Sequence, residues 1–182
     1  RAWKEEGAKH GELFVAEYQS AGRGRFTRRW SAPPDSAITM SILVCPEFSP
    51  MKAPMMTLVM GLSVAQAVAD LGLDVGIKWP NDVVVSRKKI CGILTEMTMK
   101  QDKIGCAVIG VGINVNMDSF PEETADKATS LYLESGHVFD RAEVVGLVMK
   151  HFEENYERFV QTEDLSELKA DYEKLLANLN QP

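Results

Sequence analysis

Apolar and polar positions change period several times along this chain of 182 residues, and each change predicts an element. Residues 1–9 resemble the tail of a helix ending near Gly11, and 13–18 form an apolar run of strand formers. Residues 37–45 repeat that character until Pro46 and Pro50 close it. Residues 51–71 are apolar almost all round, with Pro54 in the first turn and Gly72 just past the end, so they predict a buried helix. Four of the nine methionines lie between positions 51 and 60; core filling at helical spacing is the simpler reading, with a cofactor box or partner groove as the other. From Val75 the pattern shortens to strands at 75–79, 83–86, 90–97 and 103–114, with polar turns at Arg87 and Lys88 and at 100–102.

Beyond Pro121 an irregular stretch gives way to two helices announced by capping boxes, Asp140 with Glu143 and Asp164 with Glu167. Val144, Val148, Phe152, Tyr156 and Phe159 recur at helical spacing. Strands in a meander with helices before and after them predict an α+β fold, a mixed and largely antiparallel sheet covered on one face by helices.

Composition narrows the class. With 45% hydrophobic residues the length suits one domain, and no apolar segment of transmembrane length or charged leader is expected, which points to a cytoplasmic protein and no membrane partner. Cys45, Cys91 and Cys106 sit in apolar runs without metal-ligand spacing and read as buried free thiols in a reducing compartment. His10, His137 and His151 share no motif. Against a net charge of −6, Gly22-Arg23-Gly24-Arg25-Phe26-Thr27-Arg28-Arg29-Trp30 stands out, with four arginines on a glycine-bearing loop anchored to a strand. Such a loop suits a small anion; a solvated turn or a nucleic-acid tail is the alternative.

Three further segments carry polar groups in apolar surroundings. In Lys78-Trp79-Pro80-Asn81-Asp82, a lysine and a carboxylate flank a proline turn, as a pocket pair for phosphate and metal or as a surface ion pair. In the segment KICGILTE, 89–96, strict alternation puts Lys89 on the face of Cys91 and Ile93, and Gly92 removes a side chain; Lys89 either faces an anion or snorkels to water. In GVGINVN, 110–116, Gly110 and Gly112 clear one strand face that Asn114 shares, without the third glycine of a dinucleotide fingerprint.

Taken in order, Glu17-Tyr18-Gln19, the arginine loop, KWPND, KICGILTE and GVGINVN resemble the catalytic domain of biotin protein ligases over nearly the whole chain. That resemblance implies a class II aminoacyl-tRNA synthetase-like core that joins biotin to ATP, with Mg2+, as biotinyl-5'-AMP. The biotinyl group then passes to one lysine of a biotin carboxyl carrier domain. It implies that residues 22–30 clamp biotin and adenylate, Gly22, Gly24, Arg28 and Trp30 included, with Arg23 and Arg25 facing phosphates and carboxylate. Lys89 bridges carboxylate and α-phosphate, Gln19 and the Gly92 backbone hold biotin, Lys78 and Asn81 belong to the phosphate side, and Gly110 and Asn114 to the nucleotide side. Asp82 assists metal binding or activates the acceptor lysine. The family usually has a glycine where Thr27 stands, a Thr-Asn biotin contact before position 1 and a small β-barrel after position 182, so residues 1–182 are expected to be a catalytic domain truncated at both ends. Related readings are a lipoate ligase, which shares the fold, a homodimer, a ligase and repressor that binds DNA through a helix-turn-helix ahead of Arg1, and an inactive nucleotide-binding module.

Overall fold

In a computed structural model, which describes residues 7–26 and 28–177, one sheet carries two layers of helix on a single face. The expected helix tail at 1–9 falls mostly outside the described residues, as does Thr27. The strands are β1 (Leu13–Ala16), β2 (Ala37–Val44), β3 (Val75–Lys78), β4 (Asp82–Val85), β5 (Lys88–Lys100) and β6 (Lys103–Asn114), in spatial order β1-β2-β6-β5-β4-β3. The helices are α1 (Ala53–Asp70), α2 (Leu131–Ser135), α3 (Arg141–Thr162) and α4 (Lys169–Leu175). A single 3-10 turn, Pro50–Lys52, leads into α1.

The mostly apolar β2 lies between β1 and β6 and is buried along nearly its whole length. Helix α1 is apolar all round because it is the middle layer, with β3 to β6 on one side and α3 on the other. By length and composition the segment Pro50–Asp70 is able to cross a membrane, contrary to the sequence expectation. Here its Met56, Val59, Met60 and Leu62 are wholly buried in the protein's own core. The methionines therefore serve mainly as packing, although Met51 is exposed. Where α1 meets α3 the core contains two buried polar residues, Ser63 and Asn155; Asn155 Nδ2 donates to Ser63 Oγ at 3.0 Å and Gln66 Oε1 at 2.7 Å. Buried amides are tolerated when paired in this way.

The largely antiparallel sheet flanked by helices is as expected: every ladder between the named strands is antiparallel, and parallel pairing is confined to the single bridges Ile77↔Leu176 and Lys89↔Ala128. Other expectations are corrected. Asp140 caps α3 through Ala142 N, but the second capping box does not start a helix: Asp164 Oδ1 accepts from Ser166 N in a turn, and α4 begins at Lys169. The stretch read as irregular contains α2, capped by Ser130 and stopped by Gly136 at φ 79°. Cys45 and Cys106 are not free thiols. They form a disulfide because the β2–β6 register, Val44↔Ala107, brings the next residue on each strand face to face. Cys91 remains a buried free thiol.

The correction with most consequence for the site concerns Lys89. Val83 pairs with Cys91 and Val84 with Lys89, so Ile90 is an extra residue bulged out of the β4–β5 ladder. A bulge shifts the alternation by one position. Ile90, Cys91 and Ile93 thus all enter the core, while the Lys89 side chain emerges on the opposite face with Gly92.

Candidate active site

The sheet face turned away from α1 bears a cleft of about 1130 Å³. Its floor follows from register. Asp82 pairs with Gly92, Gly92 with Gly112, and Gly112 with Thr39, so one row across four strands has no side chain at its two central positions. Neighbouring strands lie ~4.8 Å apart, which makes the missing side chains a trough about two strands wide. Two groups lie over it. The Lys89 Nζ is 3.0 Å from where a Cβ on Gly92 would stand, and the Trp30 indole is 2.5 Å from the corresponding point on Gly112. A cation and an aromatic plane therefore share one glycine floor.

The arginine loop forms the other wall as a small hairpin. Trp30 N donates to Gly22 O at 3.1 Å and Gly24 N to Arg28 O at 2.8 Å, with a bridge between Arg23 and Arg29. Gly22 is needed for this closure, since a Cβ there would stand 2.4 Å from Trp30 O and 2.9 Å from Gln19 Oε1. At the tip, Phe26 has a φ of 52° and is 81% exposed, and the Arg25 guanidinium lies 5.0 Å from its ring centre. Trp30 Nε1 is buried with no hydrogen-bond partner among the described residues.

Polar contacts join the walls. Arg25 Nη1 donates to Asn81 Oδ1 at 2.7 Å; Asn81 Nδ2 donates to Asp82 Oδ1 at 3.2 Å and Ile93 O at 3.3 Å; and Asp82 Oδ1 lies 2.7 Å from Lys89 Nζ. Arg23 holds Glu96 with both Nη atoms, at 3.0 and 2.6 Å. The turn that presents Asn81 includes a cis Trp79-Pro80 peptide. The lining includes five cations, Arg23, Arg25, Arg28, Arg29 and Lys89, against Asp82 and Glu96, so the cleft is a positive site on an acidic protein. Such a concave charged surface concentrates anions.

Among the residues singled out from sequence, Gln19, Gly22, Arg23, Gly24, Arg25, Arg28, Trp30, Asn81, Asp82, Lys89, Gly92 and Gly110 line this cleft. Lys78 and Asn114 do not. Lys78 is exposed on β3, in register with Asp82 but outside the lining. Asn114 is buried, and its Nδ2 donates to Thr129 O at 3.0 Å. Thr129 N in turn donates to Lys89 O, and Lys89 N to Lys127 O, so the segment that Asn114 tethers also pins the backbone of Lys89. Glu96, Thr39 and Ser41 were given no role from sequence. Glu96 was findable, being two and four residues from Leu94 and Gly92 on the same strand face; Thr39 and Ser41 lie hidden in a strand that reads as core.

Cys91, directly behind the floor, is no nucleophile. Burial pushes its thiol far above the usual range, against a smaller opposing pull from the Lys89 charge. Among the described residues no three His, Cys, Asp or Glu side chains come together as a metal cage.

Residues 1–114 match the biotin/lipoate A/B protein ligase family. The chain is 42% identical over 156 residues to the bifunctional ligase/repressor BirA of Bacillus spizizenii, covering 84% of this chain and 48% of that protein. It is 34% identical over 168 residues to the biotin--[acetyl-CoA-carboxylase] ligase of Mycobacterium tuberculosis, covering 89% and 59%. The biotin protein ligase of Aquifex aeolicus, solved in complex with biotin and ATP, superposes with a TM-score of 0.84 at 34% identity, covering 98% of this chain and 74% of that one. The chain spans about half the length of the Bacillus relative. With the glycine-floored cleft, the arginine hairpin and these matches together, the chain belongs to the biotin/lipoate A/B protein ligase family and has the catalytic-domain fold of the biotin protein ligases.

Proposed function

We propose that this domain activates biotin with ATP and transfers the biotinyl group to a lysine of a biotin carboxyl carrier domain. The observation that carries the reading is the placement of the Lys89 ammonium and the Trp30 indole over the Gly92–Gly112 floor, beneath an arginine hairpin. The floor suits a flat, mostly apolar ligand lying against backbone, and the cations suit the charge that adenylation builds up.

In the first step a biotin carboxylate oxygen attacks the α-phosphorus of ATP; the new P–O bond forms as the bond to the bridging β-phosphate oxygen breaks, and pyrophosphate leaves. Lys89 is the charge placed between carboxylate and α-phosphate, held on a strand and aimed by Asp82. Arg25, positioned through Asn81, and Arg23, which exchanges Glu96 for substrate, face the same anions. In the second step the neutral amine of the acceptor lysine attacks the acyl carbon and AMP departs with the bonding electrons of the anhydride C–O bond. Asp82 is the carboxylate in reach to accept the amine proton. Gln19 and the Gly92 backbone anchor biotin, and the hairpin shields the anhydride from water. Asn114 acts from behind by holding the 127–129 segment to Lys89.

Magnesium fits this donor set as a companion of the triphosphate, because Mg2+ is commonly held by one or two carboxylates together with substrate phosphates. Asp82 is the residue able to take one of its positions, and the ion would offset phosphate charge.

Biotin-dependent exchange of labelled pyrophosphate into ATP tests the proposal, with lipoate as comparator. Exchange with biotin and not lipoate is expected. The reverse preference would move the reading to a lipoate ligase, and exchange with neither acid would refute adenylation.

A further inference from the structure

Arg141 sits where helix physics disfavours it. It is the first residue of α3, behind the Asp140 cap, where the helix dipole is already positive and a cation is unfavourable. A residue that breaks a local rule points to a tertiary role. Its guanidinium makes three contacts: Nη1 donates to Glu17 Oε2 at 2.6 Å and to Ala37 O at 3.2 Å, and Nη2 to Asp35 Oδ1 at 3.4 Å. Glu17 is the first residue after β1, and Asp35 and Ala37 lie where the chain enters β2. Everything between them is the segment that carries Gln19, the arginine hairpin and Trp30. One side chain thus grips both ends of the loop that walls the cleft.

The post that carries the grip is rigid. Val144, Val148, Phe152 and Phe159 fix α3 in the core. The loop's far end is held locally as well: Ser36 Oγ donates to Pro33 O at 2.7 Å and Asn116 N to Ser36 O at 2.7 Å, around an Asp35 with a φ of 59°. The near end is held locally only as far as Ala16, which pairs with Thr39 and whose carbonyl accepts from Thr39 Oγ1; β1 is a four-residue edge strand, and Glu17 is one residue beyond it. The Arg141 guanidinium holds the Glu17 carboxyl below the usual carboxylate range.

We propose that Arg141 is a positioning residue for the ligand clamp, setting the span between the ends of the loop so that Gln19, Arg23 and Arg25 reach the cleft. The inference rests on the adenylation reading for its ligand but not for its geometry. The Glu17 and Asp35 side chains are 65% and 77% exposed, so these contacts add little to global stability. Their effect is on loop position. Lysine does not replace the arginine, because a single ammonium cannot bridge two carboxylates and a carbonyl in fixed directions.

The test uses the full chain with Arg141→Gln, Arg141→Lys and, to sever the same grip without touching α3, Glu17→Gln combined with Asp35→Asn. Three readouts are taken. Hydrogen exchange without ligand should rise in residues 18–34 and not in α3 or β6. Release of biotinyl-5'-AMP should accelerate by between about 3-fold and 30-fold, within the span that coupling inside one charged network produces, while the melting temperature stays close to that of the parent. Arg25→Ala serves as the reference for a direct clamp contact. Unchanged loop exchange in both the Arg141→Gln and the paired carboxylate variants would overturn the proposal, as would full rescue by lysine. If the parent forms no adenylate, the functional reading fails, and the exchange experiment still decides the grip.

Discussion

Replacing Lys89 with alanine separates a catalytic ammonium from a structural one by a wide margin in free energy. Its ion pair with Asp82 is 2.7 Å long, yet the two side chains remain 37% and 24% exposed. A solvent-screened pair of this kind is worth ~0–1 kcal/mol. Asp82 keeps Asn81 Nδ2 as a hydrogen-bond donor after the change, so no carboxylate is stranded. For a domain of this size 1 kcal/mol moves the melting temperature by about 2–4 °C, so a shift within that range is expected. The reaction responds on another scale. Removing one preorganised donor from developing charge costs about 2.7–4 kcal/mol, or roughly 10²–10³ in rate. The assay pairs biotin-dependent pyrophosphate exchange with a thermal melt on the same preparation, and Lys78→Ala, outside the cleft lining, serves as the control. Exchange within a few-fold of the parent would refute the assignment. So would a melting loss beyond about 8 °C, since Lys89 would then be holding the β4–β5 ladder together rather than meeting substrate.

Two other outcomes are expected. Gly112→Ala should displace the Trp30 indole, because the new Cβ falls 2.5 Å from ring atoms, whereas Gly110→Ala meets nothing nearer than Leu94 O at 3.4 Å; the first should cost about 1–3 kcal/mol and shift indole fluorescence, the second little, and equal behaviour of the two in melts and fluorescence would contradict the stacked floor. The Tyr172 hydroxyl is buried with no partner among the described residues, and burial pushes its pKa to about 12. The folded state therefore keeps a proton that the unfolded chain loses near 10, so stability should fall as pH rises through that interval, and Tyr172→Phe should be at least as stable as the parent with a flatter alkaline melting profile; a destabilised variant would show that the hydroxyl has a partner.

Several features of the site were legible in residue order because they are local. The period of two over 106–114 fixes which residues of that part of β6 can face a ligand, and the glycines at 110 and 112 clear that face whatever the strand pairs with. Arginines and glycines packed into 22–30 mark a flexible cationic loop in the same local way. Strict counting failed at Lys89, where a single bulged residue, Ile90, moved the ammonium to the other face of the sheet. It failed again at Asn114, whose amide is taken by the Thr129 carbonyl, and at the cysteines, where Cys45 and Cys106 meet only through the β2–β6 register.

By itself, then, the sequence determined which segments are strands and buried helices, which side chains can carry charge to an anion, and where backbone is left bare. Tertiary structure alone decided that Gly92 and Gly112 are neighbours in one row, that Lys89 and Trp30 lie over them, and that Arg141 reaches both ends of the loop 124 positions and 106 positions away. The physical reason is that periodicity is a property of consecutive residues, whereas register, bulges and long-range ion pairs depend on which strand lies alongside which.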